Sequence, residues 1–308
     1  MSAPEIEILN PGLLTTVQDL GRSGWAHLGI SPAGAADPMS ARIANRLVGN
    51  DEGAAVLEMT LVGATLSFRA ACTIALVGAD ISPAILPMFE PVQVKAGFIL
   101  DCGPLSNGAR TNLAVSGGLK VPEVLGSAST HLAASFGGFH GRALRRGDVI
   151  PIGTSKPPRD RGIPTCLREL VRRRNEIRVT RGPQHDIFGA EAWRQFCSSE
   201  YLVTERSNRL GLRLSGTAII PASRTELLTE GVSLGAIQIP PDGQPIILFV
   251  DQQTTGGYPK IANVIAADMH CIGQLRPRDT VRFQTVSLEE AVAALREQEV
   301  SLAEAFRQ

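Results

Sequence analysis

The chain has 308 residues, 44% hydrophobic and 19% charged, with 31 Gly and 20 Pro, a composition that builds a globular core and excludes a disordered or fibrous chain. At about 150 residues per domain this length corresponds to about two domains. Lys plus Arg number 30, as do Asp plus Glu, so no overall field draws the protein to nucleic acid or anionic lipid, and the longest apolar stretches, Cys72 to Ala79 and Ile246 to Val250, fall far short of the roughly 20 residues of a membrane helix.

The opening Met-Ser-Ala-Pro-Glu-Ile-Glu carries acid where a secretory leader carries positive charge, which predicts a cytoplasmic protein. From Ile6 to Ile152, β-branched and aliphatic runs alternate with Gly and Pro, as in Ala64 to Phe68, Thr73 to Val77, Val92 to Val94 and Asn112 to Val115, and this spacing predicts many short strands. One helix interrupts them: Asp37 is its N-cap, Pro38 its first residue, Met39, Ile43 and Leu47 its apolar face, and Gly49 its stop.

Between Thr154 and Arg181 the chain becomes basic and proline-bearing, which predicts the domain boundary there. A first β-rich domain is expected over 1–160, a β-barrel domain over 175–286 and a terminal helix over 287–308. The Arg172 to Arg181 run lacks interleaved aromatics and is read as a solvated helix face rather than a nucleic-acid site. In the second half a short helix is expected over Asp186 to Phe196, with strands at Ala218 to Ile220, Ala236 to Ile239, Ile246 to Val250 and Val281 to Phe283. The terminal helix opens with Ser287-Leu-Glu-Glu290, a capping box, and Ala291, Val292 and Leu295 give it an apolar face.

Several chemistries are missing from the sequence. It has neither a P-loop nor a G-x-G pair, and its five His (His27, His131, His140, His185, His270) show no i, i+4 zinc spacing. No metal site is expected. The five Cys (Cys72, Cys102, Cys166, Cys197, Cys271) are odd in number and form no C-x-x-C, so buried free thiols are expected. Gly231-Val-Ser-Leu-Gly235 matches the hydrolase elbow G-x-S-x-G, but Ala236-Ile-Gln-Ile alternates like a strand where the elbow needs a helix.

Three polar constellations remain. The densest follows the apolar run Ile246 to Val250: Asp251 is a candidate base, Gln253 an amide donor and acceptor, Thr254 and Thr255 hydroxyl donors, Gly256 and Gly257 a place of close backbone approach, Tyr258 a flank, and Lys260 a local positive charge. A tight polar turn satisfying its own backbone is the equal alternative. Gln18, Asp19 and Arg22 form either a second binding cluster or a salt-bridged turn. In Ser207-Asn208-Arg209, the Arg is either a clamp for a carboxylate or phosphate, oriented by its neighbours, or a structural fork.

These residues carry a family resemblance spanning nearly the whole chain: Gly12 to Arg22, Arg42 to Asn50, Leu57-Glu58, Leu113 to Gly118, Val124 to Thr130, Gly182-Pro-Gln184, Ser207 to Leu214, Gly243 to Ile246 and, most specifically, Asp251 to Pro259. The chain resembles the family of 5-oxoprolinase C subunits, also known as the allophanate hydrolase subunit 2 or biotin-dependent carboxyltransferase-like family, which includes the bacterial antagonist of a sporulation-kinase inhibitor. The resemblance implies a mainly β protein with a few helices, two β-rich domains and a cyclophilin-like β-barrel architecture. It further implies that B-like and A-like subunits of 5-oxoprolinase join the chain in hydrolysing 5-oxo-L-proline to L-glutamate with ATP, the chain being inactive alone and carrying no attached biotin. In that chemistry Asp251, Gln253 and Lys260 are the expected catalytic residues. Thr254, Thr255, Gly256, Gly257, Tyr258, Arg209, Ser207, Asn208, Gln18, Asp19 and Arg22 are the expected substrate-binding residues for a small amide. Two alternatives come with the family: a carboxyltransferase component moving a carboxyl group from carboxybiotin to urea or a related amide, and a regulatory protein that sequesters a kinase inhibitor resembling the B subunit.

Overall fold

Residues 4–154, 166–222 and 227–307 are described by the computed structural model, so the proline-bearing stretch 155–165 expected at the boundary lies outside them. The chain divides into two compact units, Met1–Arg22 with Ala33–Arg172 and Ser301–Gln308, and Ser23–Pro32 with Arg173–Val300.

The first unit is built from β1 (Glu5–Asn10), β2 (Leu14–Gln18), α1 (Pro38–Leu47), β3 (Val56–Thr60), β4 (Thr65–Phe68), β5 (Cys72–Ile81), β6 (Val92–Val94), β7 (Phe98–Asp101), β8 (Leu105–Val115), β9 (Val149–Pro151) and α2 (Cys166–Leu170). Two sheets form, in the orders β7-β4-β1-β9 and β2-β3-β8-β5-β6. In β1 burial alternates, with Ile6 and Ile8 inside, as expected of a strand covered on one face. β8, paired on both sides, is buried along almost its whole length. The Asp37 carboxylate caps α1, accepting from the Ser40 N–H at 2.9 Å and the Ser40 hydroxyl at 2.6 Å, and the helix buries Met39 and Ile43 as its spacing predicts.

The second unit contains β10 (Glu176–Arg181), α3 (Gly189–Ser198), β11 (Tyr201–Val203), β12 (Gly211–Ser215), β13 (Glu230–Gly231), β14 (Ala236–Gln238), β15 (Ile246–Leu248), β16 (Thr255–Gly256), β17 (Lys260–Val264), α4 (Met269–Gln274), β18 (Thr280–Thr285) and most of α5 (Leu288–Ala305), whose end from Ser301 belongs to the first unit. Seven of these strands close a barrel in the order β10-β17-β14-β15-β12-β11-β18, and β18 running parallel to β10 completes the ring. Leu212, Ile247 and Ile237 stand in one cross-strand row and are buried, so their face is the barrel interior. α3 packs Phe196 against Phe283 of β18, ring centroids 4.5 Å apart, with Tyr201 beside them at 5.7 Å from Phe283. Both units are thus β-rich, and no helix among the described residues is long and apolar enough to cross a membrane.

Three expectations are corrected. Ala218 to Ile220 is apolar and Ile219 is buried, but the run is irregular; Pro221 follows it directly, and the Ile219 N–H is bonded to the Gly243 carbonyl at 2.9 Å instead of a ladder. The basic run is no solvated helix face: Arg174 and Arg178 converge on the buried Asp268 carboxylate at 2.8 and 2.6 Å, and Arg173 pairs with Asp279 at 2.7 Å. In α5 the capping box forms, with the Ser287 N–H bonded to Glu290 at 2.7 Å and the Glu290 N–H to the Ser287 hydroxyl at 3.1 Å. Its buried residues are however Leu302 and Ala305, while Val292 is 40% exposed.

Candidate functional site

The site is organised by a β-bulge. In the β14–β17 ladder Ile237 pairs with Ala262, but Gln238 pairs with Lys260, so Ile261 is the extra residue. Strict alternation would send Lys260 to the same side as Ala262, into the apolar interior, where an ammonium is too costly. The bulge turns it onto the outer face. There it completes a row that runs Arg213, Ile246, Gln238, Lys260 across β12, β15, β14 and β17.

The segment from Asp251 to Pro259 crosses this row as a strap. Its start is fixed by Asp251, whose carboxylate receives both Arg209 Nε at 2.9 Å and Arg209 Nη2 at 3.1 Å, while the Asp251 N–H is bonded to the Arg209 carbonyl at 2.9 Å. Both side chains are buried, so the bidentate pair is shielded from water. Midway, β16 pairs with β13, and Gly256 lies so close on the carboxamide of Gln238 that a Cβ there would stand 2.7 Å from its Nε2. Gln253 Nε2 reaches Gln238 Oε1 at 3.3 Å. Gln238 is 1% exposed and its Nε2 has no hydrogen-bond acceptor.

On one side of the strap lies a hollow of about 690 Å3, within the range of small-molecule sites, walled by His27, Glu230, Ser233, Thr254, Thr255, Lys260 and Asn263. Lys260 is 3% exposed and its ammonium forms an ion pair with Glu230 Oε1. Gln184 Nε2 donates to the same oxygen at 2.7 Å, and Gln184 Oε1 accepts from the Lys260 N–H at 3.1 Å. Gly182 makes this possible, since a Cβ there would stand 2.3 Å from the Lys260 carbonyl oxygen. The Lys260 ammonium and the Gln184 amide hold the Glu230 carboxyl below its ordinary range. The carboxamide of Gln252 spans the Ser233 carbonyl and the Leu234 N–H, holding the loop that carries Ser233. Beyond that loop β14 is a strand, as the alternation after Gly235 predicts. The arrangement offers a buried cation beside an ionised carboxylate, with hydroxyl and amide groups around them, a surround for negative charge developing on a small polar substrate.

On the other side lies a second hollow of about 520 Å3, which Asn208, Gln253 and Tyr258 line. The expected residues therefore do not converge on one place. Thr254, Thr255 and Lys260 share the first hollow, and Asn208, Gln253 and Tyr258 the second. Arg209 and Asp251 are engaged with one another, the arrangement of a structural fork. The Ser207 hydroxyl bonds the Arg213 N–H at 3.0 Å, and Asn208 Oδ1 bonds the Leu210 N–H at 2.9 Å, so both tie their own turn. Gly257 is exposed in the strap.

Gln18, Asp19 and Arg22 belong to the first unit. The Asp19 carboxylate accepts from the Gly21 and Ala128 N–H groups at 2.7 and 2.6 Å and from the Ser127 and Ser129 hydroxyls at 2.7 and 2.5 Å. Arg22 lies over the Phe136 ring at 4.8 Å and donates to the Ser129 carbonyl at 2.5 Å, and Gln18 donates to the Thr130 carbonyl at 3.2 Å. All three knit the loop 127–130 to β2.

Sequence reasoning did not select Glu230, Gln184, His27, Ser233 or Asn263. Gln184 stands in the family motif Gly182-Pro-Gln184, and Ser233 sits in the G-x-S-x-G match that is no elbow; no local signal marks His27 or Asn263. Among the described residues no group of three His, Cys, Asp or Glu is placed to hold a metal ion.

Residues 28–285 match the family model described as carboxyltransferase domain, subdomain A and B. The chain is 40% identical over 304 residues to the C subunit of 5-oxoprolinase from Escherichia coli (strain K12), covering 96% of this chain and 95% of that one. It is 37% identical to the C subunit of 5-oxoprolinase from Haemophilus influenzae, covering 96% of each. The crystal structure of the Kluyveromyces lactis urea carboxylase superposes with a TM-score of 0.91 at 33% identity, over 99% of this chain and 29% of that chain.

Proposed function

The chain belongs to the carboxyltransferase-domain family with subdomains A and B, and on that premise we propose that it works as the C subunit of an ATP-dependent 5-oxoprolinase, opening the lactam of 5-oxo-L-proline to L-glutamate together with A-like and B-like partner subunits in the cytoplasm. The observation that carries the reading is the match to 5-oxoprolinase C subunits over 95% or more of both chains. The reaction belongs to the assembly, and this chain alone is inactive. ATP is consumed by the assembly, and no residue of this chain is assigned to it.

The hollow beside Lys260 supplies what lactam opening needs from this chain. Activation of the amide oxygen places negative charge on it, and a fixed ammonium shielded from water stabilises that charge far more than solvent would. Glu230 and Gln184 keep the ammonium in place, and the Thr254 and Thr255 hydroxyls supply further donors at the hollow's wall. Arg209 and Asp251 set the strap's position, so Asp251 acts through the strap rather than as a proton acceptor.

A second reading, supported by the likeness to a urea carboxylase, is transfer of a carboxyl group from carboxybiotin to a small amide, with the biotin carried by another protein. The test is L-glutamate release from 5-oxo-L-proline and ATP by the purified A and B subunits, with and without this chain. Release only in its presence is the expected result. No release from an assembled complex, with carboxybiotin-dependent carboxylation of an amide in its place, would select the second reading.

A further inference from the structure

The hollow beside Lys260 carries two further polar side chains that the reaction proposed above leaves unused. Lys260 and Asn263 both lie on β17, and residues three apart would stand on opposite faces of a regular strand. The extra residue Ile261 brings them to the same face, and both wall the hollow. Ser233, on the same wall, donates its hydroxyl to Asn263 Oδ1 at 3.3 Å. The Ser233 backbone is itself fixed, because its carbonyl accepts from the Ala236 N–H at 3.2 Å and from the Gln252 carboxamide at 3.1 Å.

The bond between Ser233 and Asn263 sets the polarity of what the pair offers. A hydroxyl that has given its hydrogen to Asn263 keeps only acceptor lone pairs, and a carboxamide whose oxygen is engaged keeps its N–H donors. Among the described residues no other group engages Ser233 Oγ or Asn263 Nδ2. One acceptor beside one donor matches an amide whose N–H and C=O share an edge. A lactam is locked in that cis arrangement, and urea and primary amides also present it, whereas a trans peptide holds the two groups on opposite sides. We propose that Ser233 and Asn263 determine specificity by reading the substrate's cis-amide edge, with the ring N–H on Ser233 Oγ and the carbonyl oxygen on Asn263 Nδ2. That oxygen has a second lone pair, which is left for the Lys260 ammonium. The proposal rests on the reading of this hollow as the substrate pocket.

The test is titration of the isolated full-length chain with three neutral probes, followed by the side-chain amide signals of 15N-labelled protein. The probes are 2-pyrrolidinone, γ-butyrolactone, which has the same ring with oxygen in place of N–H, and N-methylacetamide, a trans amide. The lactam is expected to shift the Asn263 signal and to bind roughly tenfold tighter than either analogue, since each analogue leaves a polar group of the pair unmatched. Ser233→Ala, at an exposed position, should weaken the lactam about tenfold and bring it to within about twofold of the lactone, whereas Ser233→Thr keeps the oxygen and the preference. Equal affinity for lactam and lactone, an Asn263 signal that stays still, or a preference that survives Ser233→Ala would each overturn the proposal. No partner or ATP enters this titration, so its failure is distinct from failure of the oxoprolinase reading, which glutamate release by the assembly decides.

Discussion

Replacing Arg209 by Met leaves the Asp251 carboxylate buried with its counter-ion gone. The two side chains are 6% and 3% exposed and joined at 2.9 Å, with a second bond at 3.1 Å. Removing one partner of such a pair costs about 3–5 kcal/mol, because the remaining charge stays desolvated. The two Trp of the chain, Trp25 and Trp193, both lie in the second unit, so their fluorescence follows that unit's unfolding alone. With a urea dependence of about 2 kcal/mol per M, the midpoint should fall by roughly 1.5–2.5 M. Arg209→Met with Asp251→Leu removes both charges and should recover most of the loss, which a double-mutant cycle reads directly. A loss below about 1 kcal/mol in the single variant is what an exposed pair would give, and it would refute the view that this pair anchors the strap.

Other outcomes follow from the same geometry. Asp37→Ala removes the cap of α1 and should destabilise the first unit by about 1–2 kcal/mol in urea unfolding followed by circular dichroism; an unchanged midpoint would show that the cap is dispensable. Asp148 is held low by the Arg142 guanidinium, bonded at 2.7 and 2.8 Å, and Glu230 by Lys260 and Gln184. A depressed carboxyl stabilises the fold fully above its unfolded pKa of about 4 and loses that contribution as pH falls through the folded value. Stability measured from pH 7 downward should therefore drop most steeply below about pH 4, with Arg142→Met flattening the drop. Burial pushes the Cys72 thiol up to about 11 and the Cys102 thiol up to about 12, so iodoacetamide at pH 8 should leave both unlabelled in the native protein and label both in urea; peptide mapping that finds them labelled natively would contradict the packing of the first unit.

What the sequence made legible was local chemistry. Asp37-Pro38 and Ser287-Leu-Glu-Glu290 announce helix starts because a cap needs only a few neighbouring residues, and both form as read. Strands were visible where an apolar run met a full ladder, as at Ala64 to Phe68 and Val281 to Phe283, and the reading failed where hydrophobicity was kept without pairing, as at Ala218 to Ile220. The strap from Asp251 to Pro259 could be picked out by its density of polar groups, yet the roles within it depend on long-range partners. Arg209 lies 42 residues from Asp251 and Gln184 lies 76 from Lys260. Nothing local says that Arg209 meets Asp251 instead of a ligand, or that one extra residue in β17 turns Lys260 outward. The family resemblance reached the fold and the motifs; the partition of the strap into two walls came from register alone.

The most direct measurement is the initial rate of L-glutamate formation when this chain is titrated into fixed amounts of the A and B subunits at saturating 5-oxo-L-proline and ATP. The account predicts no rate without the chain, saturation at a fixed ratio of components, and a fall in kcat of about 100-fold for Lys260→Met, the size expected when one fixed donor to developing charge is removed, with complex formation retained. A rate that is independent of added chain, or a Lys260→Met complex that turns over like the unmodified one, would contradict it.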